Sequence, residues 1–168
     1  MGSRESTAAR INISEKWKLD FRIDRRVDRM SPSLPLLHHV VFAIALERLD
    51  QAADYLTALG FEFVAFEHEE LGLHIRLDWD HGFELISPTA DAPTDTGTAA
   101  DFLARRGDGL FSVVVRTADC DAAEHIALRH GVKSDFRQHV EGDGFEVTEV
   151  KLEPLWGIPL TLLTTNLP

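Results

Sequence analysis

One short unit occurs twice in this chain. The stretch HHVVFAI…LDQAADYLTALGF, His38 to Phe61, is echoed by LFSVVVR…CDAAEHIALRHGV, Leu110 to Val132. Each copy reads as an apolar strand, a turn, an amphipathic helix and a new strand. Asp50 and Asp121 stand near the helix starts, and Gly60 and Gly131 near the ends, both pairs 71 residues apart. A unit that cannot bury its own sheet face must pack against its twin, and the seam between twins is a natural place for a ligand.

The flanking patterns complete the unit. Strand 37–44 leads into helix 48–59, whose Leu49, Ala52, Ala53, Leu56 and Leu59 form one apolar stripe. Asp50 suits the amide-rich helix start, and Gly60 is the expected stop. Strands 61–67, 72–79 and 82–87 follow, with turns at 68–72 and 80–82. The polar, turn-rich segment 88–98 reads as a connection, and helix 99–106 opens the second copy. There the pattern predicts strand 109–116, helix 120–130 and strands 132–138, 144–152 and 157–164. Pro159 marks that last strand as an edge or as kinked. The fold class is α+β, with βαβββ written twice.

The body therefore reads as one domain over 36–168: module one 37–87, linker 88–98, module two 99–164. Pro32 and Pro35 set it off from a basic leader, residues 1–35, expected to be poorly ordered. The formal charge of −11 hides an asymmetry. Residues 1–30 hold eight Lys/Arg against five Asp/Glu, leaving nine against twenty-three, a net −14, in the rest. An acidic body repels phosphate backbones, which argues against nucleic-acid partners. There is no apolar run long enough to span a bilayer, and no apolar secretion segment at the start. The lone Cys120 forms no internal disulfide, so the expected location is cytoplasmic.

That layout, with HVVFAI…LDQAADYLTALGF and FELISP in the first copy, resembles the vicinal oxygen chelate superfamily, also called the glyoxalase/bleomycin-resistance/dioxygenase superfamily. The resemblance covers residues 37–164. FLARRGDGLFSVVVRTADCDAA, Phe102 to Ala123, looks most like the methylmalonyl-CoA epimerase-like branch. It implies two modules curling into a cup-shaped, partly open mixed β-barrel with helices outside, and pairing into a homodimer. In metal-dependent members the first and last strands of both modules supply the ligands. The matching positions here are His39 and Glu84 in module one, Ser112 and Thr161 in module two. The branch would carry histidine and glutamate at the latter two.

A divalent metal usually wants three or more imidazole or carboxylate donors, and a neutral hydroxyl is a poor one. His39 and Glu84 are thus half a metal site, fit for at most one weakly held Mn, Co, Ni, Zn or Fe ion. His74, Glu146 and Glu149 lie on strands whose facing alternation alone does not fix. Without metal, a carboxylate bonded to one nitrogen of His39 fixes its tautomer and raises the basicity of the other. Such a pair can move a proton at a carbon beside a carbonyl. His38, next on the strand, is expected to face the opposite way. Trp79, Phe111 and Trp156, with Ser112 and Thr161, are candidate ligand-binding walls. Arg105, Arg106 and Arg116 read as solvated surface, and Cys120 has no base beside it.

Two functional classes follow. One is an enzyme on a small carbonyl or carboxylate compound, an isomerase/epimerase or lyase, with dioxygenase-like chemistry weakened by the missing ligands. The other is a metal-independent, drug-sequestering binder of the bleomycin-resistance type, whose acidity would favour cationic compounds.

Overall fold

The computed structural model describes residues 35–142 and 144–167, so the basic leader, apart from Pro35, lies outside the described residues. Eight strands form one mixed sheet: β1 (Leu36–Ala43), β2 (Val64–His68), β3 (Leu73–Asp78), β4 (Phe83–Pro88), β5 (Gly109–Arg116), β6 (Ser134–Gly142), β7 (Phe145–Leu152) and β8 (Leu160–Thr165). Their order is β2-β3-β4-β1-β5-β8-β7-β6. Each module therefore lays its strands in the same internal sequence, and the two meet antiparallel at β1 and β5. Within each module the first and last strands run parallel, β1 with β4 and β5 with β8. The result is a curled half-barrel with approximate two-fold symmetry about the β1–β5 seam.

Side-chain alternation divides the core by face. On one face Val41, Ala43, Ile75, Leu77, Ile86, Val114 and Leu163 form a cluster drawn from both modules. This is the inside of the cup. On the other face α1 (Leu46–Ala58) sets Leu49 and Ala53 against Leu85, while α3 (Cys120–Arg129) covers Val150, Leu152 and Leu162. The short helix α2 (Ala99–Arg106) packs Ala99, Phe102 and Leu103 against the cup-side cluster. Its Phe102 ring lies beside Gly109, the partner of Ala43, so α2 covers that end of the cup. No helix among the described residues is long and apolar enough to cross a membrane.

Several element ends differ from the pattern, each for a local reason. α1 begins at Leu46 rather than at 48. Its N-cap Ala45 has no capping side chain, and the Ala45 amide instead donates to Asp108 of module two, which also binds Arg48. Asp50 therefore sits inside the helix and pairs with Arg76 on β3 at 2.8 Å. In α3 the cap is Asp119, which accepts from the amides of Asp121 and Ala122. β2 starts at Val64, because Phe61 and Phe63 turn inward: Phe61 packs 5.0 Å from Phe83, and Phe63 joins the cluster under α1. β8 starts at Leu160 after a tight turn, in which Leu155 bridges Ile158 and Trp156 takes φ 53. It is an interior strand, not an edge. Pro159 precedes its first residue and accepts from the Val113 amide, so its missing N–H costs no ladder bond.

The turn from β3 to β4 sets the site. Asp78, almost fully buried, binds the amides of Glu62 and His81 and the His81 ring. Burial alone would push its carboxyl up, but those bonds outweigh it and hold it below the usual range. Gly82 follows with φ +66, and a Cβ there would fall 2.7 Å from the His38 carbonyl. Its own carbonyl accepts from Val40 at 3.0 Å. Only glycine meets both demands.

Candidate active site

His39 and Glu84 meet on the cup floor. Val41 pairs with Glu84 across β1 and β4, and His39 stands two residues before Val41 on the same face. The His39 Nε2 lies 3.1 Å from Glu84 Oε2, with side-chain exposures of 6% and 17%. Glu84 is thus the more open member. His39 is the more enclosed, with its other nitrogen already engaged.

That engagement comes from His38, whose Nδ1 lies 2.7 Å from His39 Nδ1. Strict alternation would send His38 to the far face. A bulge between Leu37 and His39 breaks the register and turns its ring back beside its neighbour. His38 also stands edge-on to Trp79, ring centroids 4.7 Å apart. Burial, reinforced by His39 and Arg116, lowers its pKa to about 4, so it is neutral near pH 7. A neutral His39 that donates Nε2–H to Glu84 has a bare Nδ1, which accepts from His38. One chain of hydrogen bonds then runs His38–His39–Glu84.

Module two repeats the arrangement in different chemistry. Val114 pairs with Thr161 across β5 and β8, and Ser112 stands two residues before Val114. Ser112 and Thr161 are therefore the symmetry mates of His39 and Glu84. They bond each other as well, Oγ to Oγ1 at 2.8 Å, with 2% and 7% exposure. Val41 pairs with Ser112 and His39 with Val114, so the two dyads face each other across the seam.

Glu149 joins them from β7, on the face of its cup-lining neighbour Val147. Gln138 on β6 donates to its carboxylate at 2.5 Å. Burial, with the nearby negative charge of Glu84, pushes the Glu149 carboxyl up; the Gln138 bond and His39 act the other way. Alternation left the facing of Glu149 open, because it supplies a period but no phase. The remaining candidates scatter. Trp79 and Phe111 pack on the cup-side cluster, Phe111 edge-on to Phe102 at 5.5 Å and under the Lys151 ammonium at 5.3 Å. Trp156 is 88% exposed on the turn before β8, away from that cluster. His74 alternates with the cup-facing Ile75 and pairs with Glu67 at 3.0 Å. Arg105 pairs with Asp101, whereas Arg116 donates to the Thr165 carbonyl.

The profile of the glyoxalase-like domain family matches residues 37–156. The chain belongs to that family. Among solved structures, this glyoxalase-like domain resembles methylmalonyl-CoA epimerase from Streptomyces coelicolor in complex with 2-nitronate-propionyl-CoA. That similarity has 26% identity and TM-score 0.58, over 79% of this chain and 95% of that one. A methylmalonyl-CoA epimerase bound to methylmalonyl-CoA and NH4+ shares 26% identity at TM-score 0.59, over 79% and 95% of the two chains. The Mycobacterium tuberculosis methylmalonyl-CoA epimerase, at 22% identity, TM-score 0.54 and coverage of 76% and 86%, shares the fold. The vicinal oxygen chelate architecture near the epimerase branch is thereby established.

The superfamily implies a divalent metal in the cup, and the donor set does not fit one. One imidazole and one carboxylate bond each other, the facing pair consists of neutral hydroxyls, and among the described residues no third imidazole, thiol or carboxylate atom converges with them. A possible metal-binding cluster among the described residues, His139, Glu141 and Glu146, is exposed on the β6–β7 hairpin instead. A cavity of about 260 Å³ opens beside α3, yet Asp119 there is occupied in capping and Arg137 in pairing with Asp121 and Glu124.

Proposed function

We propose that this protein is an enzyme that moves a proton at a carbon beside a carbonyl, an isomerase or epimerase in type. The observation that carries this reading is the enclosed His39–Glu84 pair, 3.1 Å apart on the cup floor. Glu84, the more open member, takes the proton: the substrate C–H breaks and an O–H forms on its carboxylate. His39 orients that carboxylate through Nε2 and is itself held by His38. Glu149, whose carboxyl is pushed up by burial and by the nearby Glu84, is the acid that returns a proton to carbon from module two. A carboxyl group from each module is what a two-sided proton transfer requires.

The epimerase neighbours, with CoA esters named as their ligands, favour an α-branched acyl compound as the first substrate to try. In the test, the full chain is incubated in D2O with α-branched acyl thioesters and small α-substituted carbonyl compounds, and exchange at the α-carbon is followed by NMR. Glu84→Gln and His39→Gln should each slow exchange on the order of 10²-fold or more while substrate affinity changes little. Exchange that survives both substitutions would sink the reading.

A further inference from the structure

The facing hydroxyl pair has a property that the His39–Glu84 pair lacks. Two hydroxyls that bond each other use one proton between them, and the second proton remains. Ser112 and Thr161 have no other hydrogen-bond partner among the described residues. Both are more than nine-tenths buried, and the same-face neighbours on their strands are Val114 and Leu163. A leftover hydroxyl proton in such surroundings is costly unless something accepts it. The pair also sits at a place fixed by symmetry, since Val41–Glu84 and Val114–Thr161 are matching rungs, with His39 and Ser112 two residues upstream of each. A hydroxyl proton without an acceptor among the described residues therefore belongs to the groups that face the proton-transfer pair across the seam.

We propose that the Ser112–Thr161 pair is the oxygen-binding half of this cup, a metal-free hydrogen-bond donor for the substrate carbonyl oxygen. Negative charge that builds on that oxygen as the α-proton leaves is held by the free hydroxyl, with no ion between the modules. The donor suits a neutral carbonyl oxygen, because the Glu84 carboxylate in the same cup opposes a ligand oxygen that arrives negatively charged. This rests on the proton-transfer reading for its chemistry, but oxygen binding and metal independence are measurable without turnover.

The experiment uses the full chain with two probes, Mn2+ alone and acetohydroxamate, added near neutral pH where it is the uncharged hydroxamic acid, a mimic of an enolised carbonyl. Calorimetric titration of wild type should show no stoichiometric Mn2+ uptake that His39→Gln abolishes. Acetohydroxamate, followed by ligand-observed NMR, should bind wild type, and Ser112→Ala and Thr161→Val should each weaken it about tenfold. Where a substrate exchanges its α-proton, Ser112→Ala should slow exchange on the order of 10²-fold, and EDTA should leave the wild-type rate unchanged. Ser112→Thr, which keeps the hydroxyl, serves as the control should either deletion fail to fold. Probe binding without exchange by any substrate would sink the proton-transfer reading and leave the oxygen site standing. Stoichiometric Mn2+ held by His39, no probe binding to wild type, or binding indifferent to Ser112→Ala would each overturn the proposal.

Discussion

Glu149 shows how one carboxyl group ties the proposed chemistry to stability. Its pKa is raised in the folded chain, so the native state holds its proton more tightly than the unfolded chain does. By linkage, that contribution is fully present below the ordinary value of 4.5 and is lost as pH rises through the higher folded value. Glu149→Gln keeps the shape and the Gln138 contact but removes the charge. Its melting temperature should therefore exceed that of wild type by a few degrees near pH 7, with the gap closing below about pH 4.5. Thermal melts at a series of pH values read this directly, and a gap that persists unchanged in acid would refute it. Under the proposed mechanism the same substitution should cost turnover, because the returning acid is gone. His38 has the opposite sense. With its pKa lowered to about 4 from 6.5, the unfolded chain takes up the proton first as pH falls. His38→Gln should thus lessen the loss of stability between about pH 6.5 and pH 4, while leaving Nδ1 of His39 without its aromatic partner.

At the scale of elements, the turn before β4 and the bulge in β1 place the site. Gly82 has φ +66 and lies against the His38 carbonyl. Gly82→Ala adds both a disfavoured backbone angle and a close contact with backbone, which cannot swing aside. It should destabilise the fold by about 1–3 kcal/mol, read by urea denaturation. It should also lower exchange activity more than stability alone explains, since the displaced backbone is that of His38 and His39. Activity that falls only with the folded fraction would show that the turn serves the fold and not the site. The periodic elements were legible in the sequence because apolar spacing is a local signal, and α1, α3 and the strands lie within a few residues of where that spacing puts them. Their ends were not, because they depend on partners far along the chain: Asp108 for α1, Phe83 for the start of β2. His38 was misplaced for a related reason. A period of two holds only until a bulge breaks it, and no residue type in HHVVFA announces one. His39, Glu84, Ser112 and Thr161 were legible through the resemblance to the vicinal oxygen chelate superfamily, whose ligand-bearing strands they occupy. Glu149 and its partner Gln138 emerge only once the register of β6 and β7 is known.

Over the whole molecule, the seam decides whether the two copies behave as one body. The clusters under α1 and α3 each belong to a single module, but the cup-side cluster draws Val41, Ala43, Ile75, Leu77 and Ile86 from module one and Ala99, Val114 and Leu163 from module two. β1 and β5 are joined along most of their length, from Leu36 with Arg116 to Ala43 with Gly109. Separating the modules would expose that shared face and unpair both strands at once, with each local cluster too small to compensate. The chain should therefore unfold in one cooperative transition. The two tryptophans of the described body make this measurable, because Trp79 packs on the shared cluster whereas Trp156 is open to solvent. In a Trp17→Phe, Trp156→Phe background, Trp79 emission should follow the same urea midpoint as the far-ultraviolet circular dichroism of the whole chain. Val114→Ala, a module-two change that touches the module-one side of the cluster, should shift both curves together by about 1–3 kcal/mol. Two separated transitions, or a Trp79 signal indifferent to Val114→Ala, would mean that the modules fold apart and that the facing pairs are not held in a fixed relation.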